Sequence, residues 1–323
     1  MKRALLPLLT LVLLAACGSA TGDLGSVAPP AATNQASLEP PSAEPTPGAT
    51  QSSGTSPVPT EKPGKTPGPG VTPTPTPPGK TIVRAYFFLG SFTDNAGLAP
   101  VLREVPETQA VGAAALNALL AGPNNAELGA RPAMYTAIPA GTRFLGLRIE
   151  GGIATVNLSR EFESGGGSAS VLGRLAQVVY TLTQFPTVQG VRFELDGEPV
   201  EVFSGEGVVL SEPVGRDDYY DQLPTIFVNR PAWSGVLANP ARIVGIANTF
   251  EATFQVRIAD GAGRALARGP VMATCGTGCW GTFDVTIQYD VPTAGWGTLQ
   301  VFEFSAADGS VVNRTEYPVW LTP

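Results

Sequence analysis

Hydrophobic and polar positions follow two rhythms between residues 81 and 205. "TIVRAYFFL" (81–89) is β-branched and aromatic and predicts a strand. Residues 107–121 predict a helix with Ala113, Leu116, Leu119 and Leu120 on one side, stopped by Gly122-Pro123. Residues 142–149 and 152–158 predict a hairpin around Gly151-Gly152. A Gly/Ser loop at 164–168 then opens a second helix. There Leu172, Leu175, Ala176, Val179 and Leu182 recur at i, i+3, i+4, i+7 and i+10, and Phe185-Pro186 ends the run. "VQGVRFELDGEPVEVF" adds two strands around Asp196-Gly197. The order β-α-β-β-α-β-β gives residues 81–210 as an α+β domain, with two helices on one face of a mixed sheet.

From residue 223 to 323 the helical period disappears. Phe250, Ala252, Phe254, Val256 and Ile258 alternate with polar residues, and Phe283, Val285, Ile287 and Tyr289 repeat the pattern. Roughly seven short strands, with turn signals such as Asp260-Gly261 and Asp308-Gly309, predict an all-β sandwich. Residues 211–222 join the two domains. Val208 to Leu210 are too apolar for a free linker and are expected to form a strand or pack on a domain, leaving 211–222 loose.

The N-terminus sets the compartment. Lys2 and Arg3 precede an apolar run, Leu5 to Leu14, that is too short to span a bilayer, which needs roughly 20 residues. That layout predicts a signal peptide over residues 1–16. Its end, Leu14-Ala15-Ala16-Cys17, resembles the lipobox of bacterial lipoproteins. The resemblance implies lipidation of Cys17, anchorage to the membrane and an extracytoplasmic head. Residues 17–80 are rich in Pro, Thr, Gly and Ser and nearly lack large apolar side chains. They read as a disordered, partly polyproline II tether.

Composition narrows the chemistry. Removing Lys2 and Arg3 leaves 18 basic against 27 acidic side chains, a net charge of −9. Such a chain has no electrostatic footprint for nucleic acid. Histidine is absent, and the lysines are Lys2, Lys62, Lys65 and Lys80 only. From residue 81 onward, triads, Cys-His pairs, Ser-Lys dyads and Schiff-base lysines are therefore excluded. No catalytic residue, metal ligand set or cofactor site is predicted. In an oxidising compartment Cys275 and Cys279 predict a structural loop disulfide, contributing roughly 2 kcal/mol for so short a ring. A zinc site would lack further ligands, and the spacing is C-x-x-x-C rather than C-x-x-C.

Carboxylate chemistry remains, with Glu161 and Glu163, Glu194 and Asp196, and Asp217, Asp218 and Asp221 as candidates. Asp196 sits in an Asp-Gly turn, and Glu161 and Glu163 read as solvated. The run "RDDYYD" (216–221) reads as a polar linker before it reads as a Ca²⁺ site. "SGGGSAS" (164–170) opens a helix, where an anion could sit, but lacks the phosphate-loop ending. Trp233, Trp280, Trp296 and Trp320 could make a sugar platform, although aromatics in a sandwich more often serve the core or rim.

Both domains resemble known families. "LAPVLREVP", "ALNALLAGP", "AIPAGTRFLGLRIEGGIATVNLS" and "LAQVVYTLTQFPTVQGVRFELDG" resemble the sporulation and germination lipoprotein domain called GerMN. "ANPARIVGIANTFEATFQVRIAD", "WGTFDVTIQYD" and "LQVFEFSAADGS" resemble the immunoglobulin-like domain that often follows it. The resemblance implies a non-enzymatic binding or assembly module of the cell envelope. Its expected partners are the membrane through Cys17, an envelope protein or peptidoglycan, and further copies of the chain. The alternative is a wall-polysaccharide binder or a carboxylate-based peptidoglycan hydrolase.

Overall fold

The computed structural model describes residues 79–91 and 93–323. The predicted signal peptide, Cys17 and the tether up to residue 78 lie outside the described residues. Among the described residues no helix is long and apolar enough to cross a membrane.

β1 (Lys80–Gly90) is the strand its β-branched and aromatic run predicts. It pairs antiparallel with β2 (Asn95–Pro106), from Lys80 opposite Pro106 to Phe88 opposite Leu98. The local pattern hides β2 because Asn95, Gly97, Pro100 and Pro106 read as loop. The strand exists as the outer member of a three-stranded sheet, β2-β1-β3, with β3 at Met134–Tyr135. An edge position tolerates proline, which has no N–H to offer a further strand. α1 (Val111–Leu120) begins at Val111 rather than Glu107, because the chain leaves β2 only at Pro106. A short α2 (Asn125–Leu128) follows.

β4 (Phe144–Glu150) and β5 (Ile153–Leu158) form the expected hairpin, and Gly151 and Gly152 both take positive φ at its turn. α3 (Ser168–Leu182) crosses from β5 to the parallel strand β6 (Gly190–Leu195), which turns into β7 (Glu198–Pro199). The order in this second sheet is β4-β5-β6-β7. The α+β class thus holds, with its strands in two hydrogen-bonded groups.

α3 is buried on nearly every side, polar residues included. Gln177 within it and Gln184 just after it bond to the backbone of β1. Gln177 Nε2 donates to Tyr86 O at 2.7 Å, Arg84 N donates to Gln184 Oε1 at 2.8 Å, and Gln184 Nε2 returns a bond to Arg84 O at 2.7 Å. The two amides stand where a neighbouring strand would otherwise pair with β1.

β8 (Val202–Phe203) pairs with β9 (Val208–Val209), and Leu210 is buried beside them, so 208–210 is ordered as expected. The expected loose stretch 211–222 is not loose. Val214 exchanges backbone bonds with Val191, residues Asp217–Gln222 wind into a 3₁₀ turn, and Tyr219 is buried. Burial of Tyr219 beside half-buried Val214 and Tyr220 holds the connector down.

The second domain is a sandwich of β10 (Ile226–Arg230), β11 (Val236–Leu237), β12 (Ala241–Ala247), β13 (Thr253–Asp260), β14 (Ala265–Met272), β15 (Gly281–Ile287), β16 (Gly295–Phe304) and β17 (Val311–Leu321). One sheet runs β10-β12-β15 and the other β11-β17-β16-β13-β14. The predicted alternation holds from Phe254 but fails before it. Phe250 is 56% exposed, and Glu251 and Ala252 take positive φ in a tight turn. Buried Glu303 accepts the Phe250 N–H at 2.9 Å, and Thr277 N donates to Thr249 O at 2.8 Å, so this turn is pulled out of the sheet and the Phe250 ring faces water. One apolar cluster runs without a break from Phe87 and Tyr180 to Phe227, Phe254 and Val301. The two domains share a core.

Candidate binding cleft at the domain seam

Three aromatic rings from three elements make the seam. Tyr86 of β1 and Tyr180 of α3 lie 5.5 Å apart, and Phe227 of β10 lies 6.5 Å and 5.8 Å from them. Phe227 sits on the outer face of the β10-β12-β15 sheet, opposite Ile246. The α+β domain therefore covers part of that face. Tyr86 Oη donates to Asn229 Oδ1 at 2.8 Å, which ties β1 to β10. On the other side of the join, Trp233 N donates to Pro100 O at 2.8 Å and continues the open edge of β2.

Arg216, in the connector, closes the aromatic group. Its guanidinium lies 4.7 Å over the Tyr180 ring and 5.6 Å over the Tyr86 ring. Nε donates to Thr183 Oγ1 at 2.8 Å, and Nη2 donates to Tyr86 Oη and Tyr180 O, each at 3.2 Å. Burial pushes the Tyr180 phenol well above its ordinary range. It stays a neutral hydroxyl that donates to Arg216 O at 3.2 Å.

Beside this group opens a cleft of about 680 Å³. Its floor is the outer face of the small sheet, with Phe227, Val244 and Ile246, and its walls include Arg216 and Tyr220. Met272, 72% exposed, stands at its rim. The one carboxylate in the lining, Asp284, accepts from Arg242 Nε at 2.9 Å and Nη2 at 2.5 Å, which holds its carboxyl below the usual range. Gly245 has no side chain because a Cβ there would strike the Phe227 carbonyl of the adjacent strand.

The cysteine loop reaches this seam. Cys275 and Cys279 are disulfide-bonded with Cα atoms 5.9 Å apart, an ordinary separation. The loop docks through Gly278 N, which donates to Asn248 Oδ1 at 3.0 Å, and it leads directly into Trp280. The Trp280 ring lies 5.2 Å from that of Tyr220 on the connector.

The acidic candidates are not brought together. Glu163 accepts from Ser204 N at 2.9 Å, Glu194 pairs with Arg148 at 2.8 Å, and Asp196 stands 3.6 Å from Arg160 in its turn. Asp218 accepts from Gly215 N at 2.7 Å, while Glu161 is exposed. Among the described residues no group of three metal-ligating side chains forms. The anion position at the start of α3 is filled from within the chain. Glu206 accepts from Gly167 N at 3.0 Å and Ser168 Oγ at 2.8 Å, and these bonds hold its carboxyl below the ordinary value.

The tryptophans divide. Trp233 and Trp280 are half-buried at the seam, whereas Trp296 and Trp320 are register partners 5.4 Å apart and 54% and 36% exposed. Sequence reasoning singled out "RDDYYD" for its acids. The seam uses its arginine and tyrosines instead, and only the spatial meeting of Tyr86, Tyr180 and Phe227 reveals that.

Residues 84–201 match the family described as sporulation and spore germination, and residues 225–310 match the immunoglobulin-like domain of bacterial spore germination. No curated protein matches the chain. Among solved structures, the first GerMN domain of the sporulation protein GerM from Bacillus subtilis is 17% identical, covers 43% of this chain and 99% of that one, and has a TM-score of 0.34. The tandem GerMN domains of the same protein are 14% identical, cover 65% of this chain and 62% of that one, and have a TM-score of 0.36. A Clostridium perfringens protein described as a candidate lipoprotein is 22% identical, with 45% and 93% coverage and a TM-score of 0.31.

Proposed function

We propose that this chain, which joins a sporulation and spore germination domain to an immunoglobulin-like domain of bacterial spore germination, is a lipid-anchored extracytoplasmic module that binds and assembles rather than catalyses. The seam cleft carries the reading. Its lining is aromatic and aliphatic, its arginine is held in place, and its one carboxylate is already paired. The lining has no nucleophile beside a base, and the sequence from residue 81 on has neither His nor Lys. A site of this composition holds a group in place without supplying proton transfer at neutral pH. Anchorage rests on the lipobox-like run ending at Cys17.

Membrane fractionation of wild type and Cys17→Ala tests the anchor, with the variant leaving the membrane lipid-free. Cross-linking in cells with mass spectrometry tests assembly and should capture an envelope protein. Release of soluble muropeptides from peptidoglycan by the purified chain would overturn the non-catalytic reading.

A second reading, wall-polysaccharide binding, is favoured by the outer face of the five-stranded sheet. Val236, Trp320 and Trp296 are register partners on three adjacent strands and all face water. A peptidoglycan pull-down that Trp296→Ala abolishes would establish it.

A further inference from the structure

The guanidinium of Arg216 stands beside the cleft. Asp217 and Asp218 follow it in sequence, yet Arg216 makes no ion pair among the described residues. Asp218 turns back to Gly215 N instead. Two of the three guanidinium nitrogens are engaged, Nε with Thr183 and Nη2 with Tyr86 and Tyr180, and Nη1 bonds to no other described residue. Two aromatic rings fix the plane. A guanidinium immobilised in this way loses little side-chain freedom when its Nη1 donates to a carboxylate.

The floor beside it suits an extended chain. Val244 and Ile246 are two residues apart on β12 and face outward together, and Thr282 and Asp284 do the same on β15. An extended peptide has the same two-residue period. The cleft volume of about 680 Å³ has room for more than one side chain. Met272 at the rim adds an adaptable apolar wall. Asp284, the one carboxylate in the cleft lining, is paired with Arg242.

We infer that the seam cleft binds an extended peptide segment of an envelope partner, with one carboxylate on Arg216 and an apolar side chain on the Phe227, Val244 and Ile246 floor. The inference rests on the binding-module reading and names the chemistry of its ligand.

Titration of the purified full chain with acetyl-Leu-Gly-Phe, as free acid and as C-terminal amide, tests it by tyrosine and tryptophan fluorescence. The acid should bind about tenfold more tightly than the amide, and the advantage should shrink from low to high salt. Arg216→Gln should bring the acid to the level of the amide. Because Arg216 also braces the seam, Val244→Trp is the second variant. It fills the floor without touching the guanidinium and should abolish binding of both peptides with Tm unchanged. Equal affinity for acid and amide, no binding of either, or wild-type binding by Val244→Trp would each overturn the inference. Equal binding of acetyl-phenylalanine alone would make the ligand a small carboxylate and defeat the peptide assignment. Failure here leaves the Cys17→Ala fractionation and the cellular cross-links unaffected, so the two readings fall separately.

Discussion

The two outer faces of the sandwich carry similar apolar side chains and meet different environments. On the small sheet Phe227 is buried, because Tyr86, Tyr180 and the connector close over it. On the large sheet Val236, Trp320 and Trp296 form a row across three strands and stay open. Both faces obey the same strand alternation. What separates them is the cover that β1, α3 and the docked connector supply, and in the connector Arg216, Tyr219 and Tyr220 turn a sequence that reads as linker into part of the core. A polar, glycine-bearing stretch between two domains is thus no proof of a hinge when it carries paired aromatics, since each ring removed from water offsets much of the entropy of ordering it.

The largest expected effect breaks the covered face. Phe227→Ala should destabilise the protein by about 3–5 kcal/mol, and both domains should still unfold together in chemical denaturation. Two separate unfolding transitions in the wild type would mean that the seam does not unite the cores. The next effect lies in the loop behind the connector. Replacing Cys275 and Cys279 together by serine should cost roughly 2 kcal/mol or less and change Trp280 emission, because the loop leads Trp280 onto Tyr220. Unaltered emission would remove the disulfide from the seam.

A smaller effect concerns the start of α3. The Ser168 hydroxyl, then the Gly167 N–H, hold the Glu206 carboxyl below its ordinary 4.5. Its contribution is complete above pH 4.5 and is lost as pH falls through the lowered folded value. Tm measured against pH should therefore show Glu206→Gln less stable near neutrality and level with wild type in acid. A constant offset at every pH would sink this account. The smallest effect is on the open face, where Trp296→Ala should move stability by no more than about 0.5 kcal/mol. A loss like that of Phe227→Ala would erase the contrast between the faces.

Local sequence was sufficient for α3, whose predicted start and Phe185-Pro186 stop agree with Ser168–Leu182, and for the turns at Gly151-Gly152, Asp260-Gly261 and Asp308-Gly309. These features depend on backbone conformations that glycine and proline dictate within a few residues. The cysteine pair was legible because the chain has only three cysteines and two of them stand four residues apart. β2 was not, since its prolines are acceptable only at an edge, and an edge is a property of the assembled sheet. Phe250 was misplaced because buried Glu303 and the docked cysteine loop, both distant in sequence, draw its turn out of the strand.

By itself, then, the sequence determined the period of α3 and of the strands that alternate cleanly, several of the turns, the class of both domains and the exclusion of histidine and lysine chemistry from residue 81 on. Only the tertiary structure decided which apolar faces meet, that the connector belongs to the core, and that Arg216 stands over two tyrosines. The physical reason is range. Periodicity reports which side of an element avoids water, whereas the choice of the surface that covers it is made by shape and hydrogen bonding between residues such as Tyr86 and Asn229, far apart in sequence and 2.8 Å apart in the fold.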